Sequence, residues 1–211
     1  MSKKQNDSYR SKRTEADISV NDSSQLNRDA ASNTDAELLE LFKNGSNPNY
    51  AFNLIVKEYQ ERIYFHVRRM VVDHDDTNDV VQNTFIKAWK GLAKFRHDAK
   101  LYTWLYRIAT NESITFLKKK KVGTMLSFQK HGSVLEEKLE SSQDIDSDKL
   151  LLTLKKAILG LPERQQLVFN MRYYDELTYE EISQITGVTV GGLKASYHIA
   201  AKKIENLIKE G

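Results

Sequence analysis

The stretch Leu177–Ile208, LTYEEISQITGVTVGGLKASYHIAAKKIENLI, decides how the rest of the chain is read. It predicts two helices joined by a tight turn. Thr178 can cap the first, and Glu181, three residues on, completes a capping box. Ile182 and Ile185 share one face, and Gly187 stands where a left-handed helix terminus favours glycine. Val188 plugs the turn and Thr189 offers a second N-cap. In the second helix Leu193, Tyr197, Ala200, Ile204 and Leu207 recur every three or four residues, so one stripe is buried and the other faces out. A short capped helix, a glycine turn and a longer helix describe a helix-turn-helix, whose second helix enters a DNA major groove. An αα-hairpin without DNA-binding function has the same pattern.

The outward face of that second helix carries Val190, Gly191, Lys194, Ala195, His198 and Lys202. Lys194 can donate to guanine O6/N7, and Ala195 can touch a thymine methyl. His198 can bond a base or a phosphate, or have no role. Gly191 and Gly192 each weaken the helix start by about 1 kcal/mol relative to alanine. Close backbone approach to a phosphate at the helix N-terminus would offset that cost.

Upstream, Glu163 to about Tyr173 forms a helix burying Leu167, Val168 and Met171, with Pro162 in its first turn. Another starts at about Lys149, with Leu151, Leu154, Ile158 and Leu161 on one side, and ends at Gly160. Val122–Asp148 has no helical period and reads as a linker. It holds two Lys/Arg against six Asp/Glu, whereas Asn49–Lys121 holds fourteen against eight. A basic block joined by an acidic connector to a second module suits a polyanion partner, although a solvated surface can show the same imbalance.

The basic block divides into four helices. Thr34–Asn44 is capped by Thr34 and presents Leu38, Leu41 and Phe42. A second helix, about Tyr50–Val72, carries Phe52, Val56, Tyr59, Ile63, Val67 and Met70 at helical spacing. Asp73–Asp79 is an acidic turn that caps the next helix; His74, Asp75, Asp76 and Asp79 lack the second ligand pair a metal site would need. The third helix, Asp79 to about Lys94, buries Val81, Phe85, Ala88, Trp89 and Leu92 and exposes Asp79, Gln82, Asn83, Ile86, Lys87 and Lys90. A connector rich in rings and cations, Lys94–Lys100, leads into a fourth helix, about Leu101–Lys121, ending in four lysines. Phe95, Tyr102, Trp104 and Tyr106 lie among Lys94, Arg96, Lys100 and Arg107. Unpaired bases stack on such rings while cations follow the phosphates. Core packing competes: it is favoured for Trp104 and remains open for Phe95 and Tyr102.

Composition narrows the classes. The 211 residues include two prolines, nine glycines and no cysteine, with 40% hydrophobic residues and a net charge of +3. Long helices are therefore expected, and thiol catalysis and Cys-ligated zinc are excluded. Residues 1–33 are polar and aperiodic, a disordered tail. The N-terminus has no signal-peptide core, and no apolar run can span a membrane, so a cytoplasmic protein without membrane insertion is expected. The five histidines are scattered, and neither a HExxH motif, a nucleophile elbow nor a glycine-rich phosphate loop is present. No enzyme, metal or cofactor is predicted.

Two separated blocks, DVVQNTFIKAWKGLAKFRHDAKLYTWLYRIATNESITFLKKKK and LPERQQLVFNMRYYDELTYEEISQITGVTVGGLKASYHIAAKKI, together resemble bacterial RNA polymerase sigma factors of the extracytoplasmic-function (ECF) group. The resemblance spans about Thr34 to Lys209. It implies an all-α chain: a promoter-melting domain over 34–121, a linker over 122–148, and a −35-reading helix-turn-helix domain over 149–211. It implies core RNA polymerase as partner, through the β′ clamp and the β flap, and promoter DNA both as duplex and as melted non-template strand. An anti-sigma factor is a further implied partner. Asp79, Gln82, Asn83, Ile86 and Lys90 match the clamp-docking segment. Phe95, Arg96, His97, Lys100, Tyr102 and Asn111 match the −10 reader, with Lys118 and Lys119 beside its phosphates. Val190, Gly191, Gly192, Lys194, Ala195, His198 and Lys202 match the −35 reader.

Departures exist. Many relatives carry arginines where Ser196, Ile199 and Ala201 stand, an acidic residue at Asn83 and an aspartate at Thr115. The alternative is a stand-alone helix-turn-helix regulator of duplex DNA. Such a protein has no need of an aromatic, basic melting module.

Overall fold

The computed structural model describes residues 35–96, 98–126 and 147–210. The predicted tail, the Thr34 cap, His97 and linker residues 127–146 lie outside them, as does the Leu151 side chain. Among the described residues the structure is all helix. The elements are α1 (35–44), α2 (Pro48–Val71), α3 (His74–Leu92), α4 (Leu101–Leu126), α5 (Ser147–Leu159), α6 (Glu163–Tyr173), α7 (Tyr179–Thr186) and α8 (Val190–Glu210). None is long and apolar enough to cross a membrane. Contacts divide the chain into two units, Met1–Lys57 and Glu58–Gly211.

In the first unit Leu38, Leu39, Phe42, Ala51 and Ile55 are buried, and the Phe42 and Phe52 rings lie 6.5 Å apart. Leu41, expected inside, is exposed, and Leu39 takes the place expected for it. The α2 stripe also starts one residue earlier than expected: Ala51 and Ile55 are fully covered, and Phe52 and Val56 only partly. From Tyr59 through Ile63 and Val67 the expected and observed stripes coincide.

In the second unit α3 begins at His74, five residues before the expected start. Asp73 Oδ1 accepts from the Asp75 and Asp76 amides at 3.0 and 3.1 Å, so the acidic run is the first turn of the helix. Its carboxylates stand at the positive end of the helix dipole, where they stabilise it. His74 itself bonds the Tyr64 hydroxyl at 2.7 Å. Lys120 near the end of α4 meets Asp76 at the start of α3, and Lys87 meets Glu112. The two helices therefore run antiparallel, burying Val80, Phe85, Ala88 and Leu92 together with Leu101, Leu105 and Ala109. Trp89, predicted to be core, is 36% exposed, and Val80 replaces the half-buried Val81. Trp89 shares the helix face of Gln82 and Ile86, so burying Phe85 and Ala88 turns it outward.

Two helix ends also differ. The α4 helix continues to Leu126 through the start of the predicted linker, because a single Gly123 costs a long helix only about 1 kcal/mol. The α2 helix closes on Val72, whose amide donates to Arg68 O at 3.0 Å with φ at 68°. That left-handed conformation is strained for a β-branched residue.

The C-terminal helices enclose Ala157, Ile158, Leu161, Phe169, Ala200 and Ile204, with Leu154, Tyr197 and Ile208 at the margin. Leu207, expected in the same stripe, is 47% exposed. A buried polar cluster joins the α6–α7 turn to α2. Asp175 accepts from His66 Nδ1 at 2.7 Å and from Arg69 at 2.6 Å; the His66 and Asp175 side chains are 1% and 2% exposed. His66 Nε2 lies 3.0 Å from Thr110 Oγ1, and the His66 ring is 4.8 Å from that of Tyr106. Burial, reinforced by the Asp175 carboxylate, pushes the Tyr106 phenol far above its ordinary range.

Candidate nucleic-acid interface

The helix-turn-helix follows its local rules. Thr178 Oγ1 accepts from the Glu181 amide at 3.2 Å, and Glu181 Oε2 accepts from the Thr178 amide at 2.8 Å. Gly187 ends α7 with φ at 73°, its amide bonded to Ser183 O at 2.8 Å. Thr189 Oγ1 accepts from the Gly192 amide at 3.3 Å. These three devices fix where α8 starts and which side faces out.

That side carries Gly191, Lys194, Ala195, His198 and Lys202, all exposed, with Val190 and Gly192 half-buried at the helix start. Opposite them Leu193 and Ala200 are fully covered. The two glycines differ. A Cβ on Gly192 would lie 3.3 Å from Thr189 Oγ1, against the capping group, whereas one on Gly191 would meet nothing within 4 Å. Lys194 Nζ stands 5.7 Å from the centre of the Tyr179 ring.

The connector and α4 are arranged differently. Phe95 and Tyr102, for which core and stacking were both open, are 7% and 6% exposed. The Phe95 ring lies 5.1 Å from that of Trp104. Trp104, half-buried, lies over Gly91, where an added Cβ would come within 3.0 Å of the indole. The Tyr102 hydroxyl donates to Glu181 Oε1, and Lys100 Nζ stands 5.8 Å from the Tyr102 ring. Arg96, Asn111, Lys118 and Lys119 are exposed and Lys100 is half-buried. The four-lysine run is thus not uniform: Lys120 and Lys121 reach Asp76 and Glu163.

On α3, Asp79, Gln82, Asn83, Ile86 and Lys90 are all exposed, and Trp89 extends that face. Its position, three residues after Ile86, was the available signal. Glu181, read only as a cap, and Tyr179, not singled out at all, also belong to these surfaces. The Tyr102–Glu181 hydrogen bond and the Tyr179 ring contacts join residues far apart in sequence, which leaves no local sign of either.

Two family models match the chain: Sigma-70 region 2 over residues 55–122 and Sigma-70, region 4 over residues 151–204. The ECF RNA polymerase sigma-E factor of Escherichia coli (strain K12) is 33% identical over 184 residues, covering 83% of this chain and 95% of the relative. Among solved structures, CnrH in complex with the cytosolic domain of CnrY superposes with a TM-score of 0.61 at 20% identity, covering 83% of this chain and 97% of that one. The sigma factor RpoE of Bartonella quintana, in complex with the anti-sigma factor NepR, gives 0.59 at 22% identity, covering 75% and 96%.

Proposed function

This chain belongs to the ECF group of RNA polymerase sigma factors, and from that premise we propose how its surfaces share the task of promoter recognition. A sigma factor is not an enzyme; it binds RNA polymerase and directs it to promoters. Residues 149–211 read the −35 element as duplex. Lys194 and Ala195 address base edges, His198 and Lys202 lie further along the groove, and Val190, Gly191 and Gly192 bring backbone to a phosphate. Residues 34–121 hold the polymerase and the −10 element. Asp79, Gln82, Asn83, Ile86 and Lys90, with Trp89 added, meet the β′ clamp. Arg96, His97, Lys100, Asn111, Lys118 and Lys119 provide the polar lining of the melted strand, with Phe95 and Tyr102 behind them. The observation that carries this reading is the single outward row on α8, Gly191, Lys194, Ala195, His198 and Lys202, backed by a sealed inner row.

A base read in a melted strand must leave its stack. Tyr102 can meet such a base only after its hydroxyl leaves Glu181. The protein acts in the cytoplasm, where its polymerase is, and contacts the β flap through its C-terminal domain. The Bartonella quintana sigma factor was solved with an anti-sigma factor, which supports a partner of that kind here. A stand-alone duplex-DNA regulator would not need the exposed α3 face.

Run-off transcription with core polymerase on a promoter library tests the assignment. Transcripts that depend on this chain and share upstream and −10 motifs are expected. Absence of transcripts from every template would overturn it.

A further inference from the structure

We propose that Tyr179 is a positioning residue for Lys194, holding the ammonium where it reaches a base edge and so setting base preference at the −35 element. The proposal rests on the reading of Lys194 as a base contact. A lysine has a flexible four-carbon stem, and fixing it on a base costs rotamer freedom. A nearby ring face that holds the ammonium removes part of that cost before DNA arrives.

The Tyr179 ring is well placed for this. It stands edge-on to Tyr197 at 6.2 Å and 78°, and Tyr197 stacks on Phe169 at 5.7 Å and 12°. Phe169 is core, so the ring is fixed relative to α8 through the packing that orients the helix. Lys194 Nζ lies 5.7 Å from its centre, within reach of the ring quadrupole. Arg172 Cζ lies 5.6 Å from the same ring, and Arg172 also donates to Leu177 O at 3.4 Å. Two cations near one ring repel, so the ring guides the lysine without trapping it. Tyr179 thus orients Lys194 without itself touching a base.

Full-length wild type, Tyr179→Leu, Tyr179→Phe, Lys194→Ala and the Tyr179→Leu/Lys194→Ala double variant are compared for binding to duplex −35 DNA of every single-base variant. Tyr179→Leu should lower discrimination about two- to fivefold at the position that Lys194→Ala relaxes, and nowhere else. Tyr179→Phe should retain it, and the double variant should match Lys194→Ala. Equal loss on all sequences, or no change, would make Tyr179 a packing residue and overturn the proposal. If Lys194→Ala leaves base preference intact, the Lys194 reading fails and the proposal with it; if Lys194→Ala relaxes it and Tyr179→Leu does not, only the proposal fails. A measurement on the wild type covers the case in which Tyr179→Leu does not fold: the Lys194 ε-methylene protons should be shifted upfield by the ring, and unshifted resonances would also overturn it.

Discussion

The helix-turn-helix and the α3–α4 connector are both short, polar-flanked and close to an aromatic cluster, yet they are specified in opposite ways. In the first, each structural decision rests on residues within four positions: Thr178 with Glu181, Gly187 with Ser183, Thr189 with Gly192. In the second, taken with the α4 helix it leads into and the His66 cluster packed on that helix, decisions rest on distant residues. Tyr102 is held by Glu181, Trp104 lies on Gly91, and Asp175 reaches back to His66 and Arg69. Local devices contribute small, separable amounts of stability, whereas long-range buried ones act as a unit. The difference is measurable.

The largest effect should come from the long-range side. Asp175→Ala leaves His66 and Arg69 without their carboxylate in a buried setting and should cost about 3–5 kcal/mol in urea unfolding. A loss below about 1 kcal/mol would mean that the cluster is solvated and the contrast with the local caps is false. Phe95→Ala should cost about 3 kcal/mol because the ring is nearly covered. Defects of this variant in promoter melting must therefore be compared with its thermal midpoint; a destabilised protein that still melts DNA would separate packing from strand reading.

On the local side, Gly187→Ala forces a Cβ into left-handed backbone and should cost about 1–2 kcal/mol, read from chemical denaturation. Thr178→Ala should cost about 1 kcal/mol, and its effect should add to that of Gly187→Ala, since the two caps sit at opposite ends of α7 and share no partner. A separate effect is one of pH. Tyr106 keeps its proton in the folded state to a higher pH than in the unfolded chain, where a tyrosine ionises near 10. Its contribution is therefore fully present below pH 10 and is lost as pH rises beyond it. Urea midpoints measured from pH 8 to 11.5 should fall less steeply in Tyr106→Phe than in wild type.

The same contrast explains what was legible in the sequence. All eight described helices are foreseeable from capping residues and spacing, and the inner and outer rows of α8 follow the expectation except at Leu207, which is exposed, and at Val190 and Tyr197, which are half-buried. Burial at a particular position was harder wherever two faces of a helix are both apolar. Spacing favours Phe52 and Val56 where the structure buries Ala51 and Ile55, and it favours Trp89 although Val80 and Phe85 already fill that side. The resemblance assigns the −10 residues, and the ring and charge composition that agrees with it cannot say which rings point inward. That Lys120 and Lys121, exposed like Lys118 and Lys119, are engaged by carboxylates depends on where Asp76 and Glu163 come to lie. Tyr179 lies in the LTYEEI stretch that carries the resemblance, yet neither period nor spacing gives it a role, because its importance lies in a ring stack assembled from α6, α7 and α8.

Glu181 belongs to two hydrogen-bond systems at once: one oxygen closes the first turn of α7, and the other receives the Tyr102 hydroxyl. Reciprocity then follows from thermodynamics. Any ligand that draws Tyr102 away must change how readily that turn frays, and fraying of the turn must in equal measure loosen the tyrosine. Amide exchange at the start of α7 is thus a remote reporter of what happens to a phenol seventy-nine positions earlier in the chain.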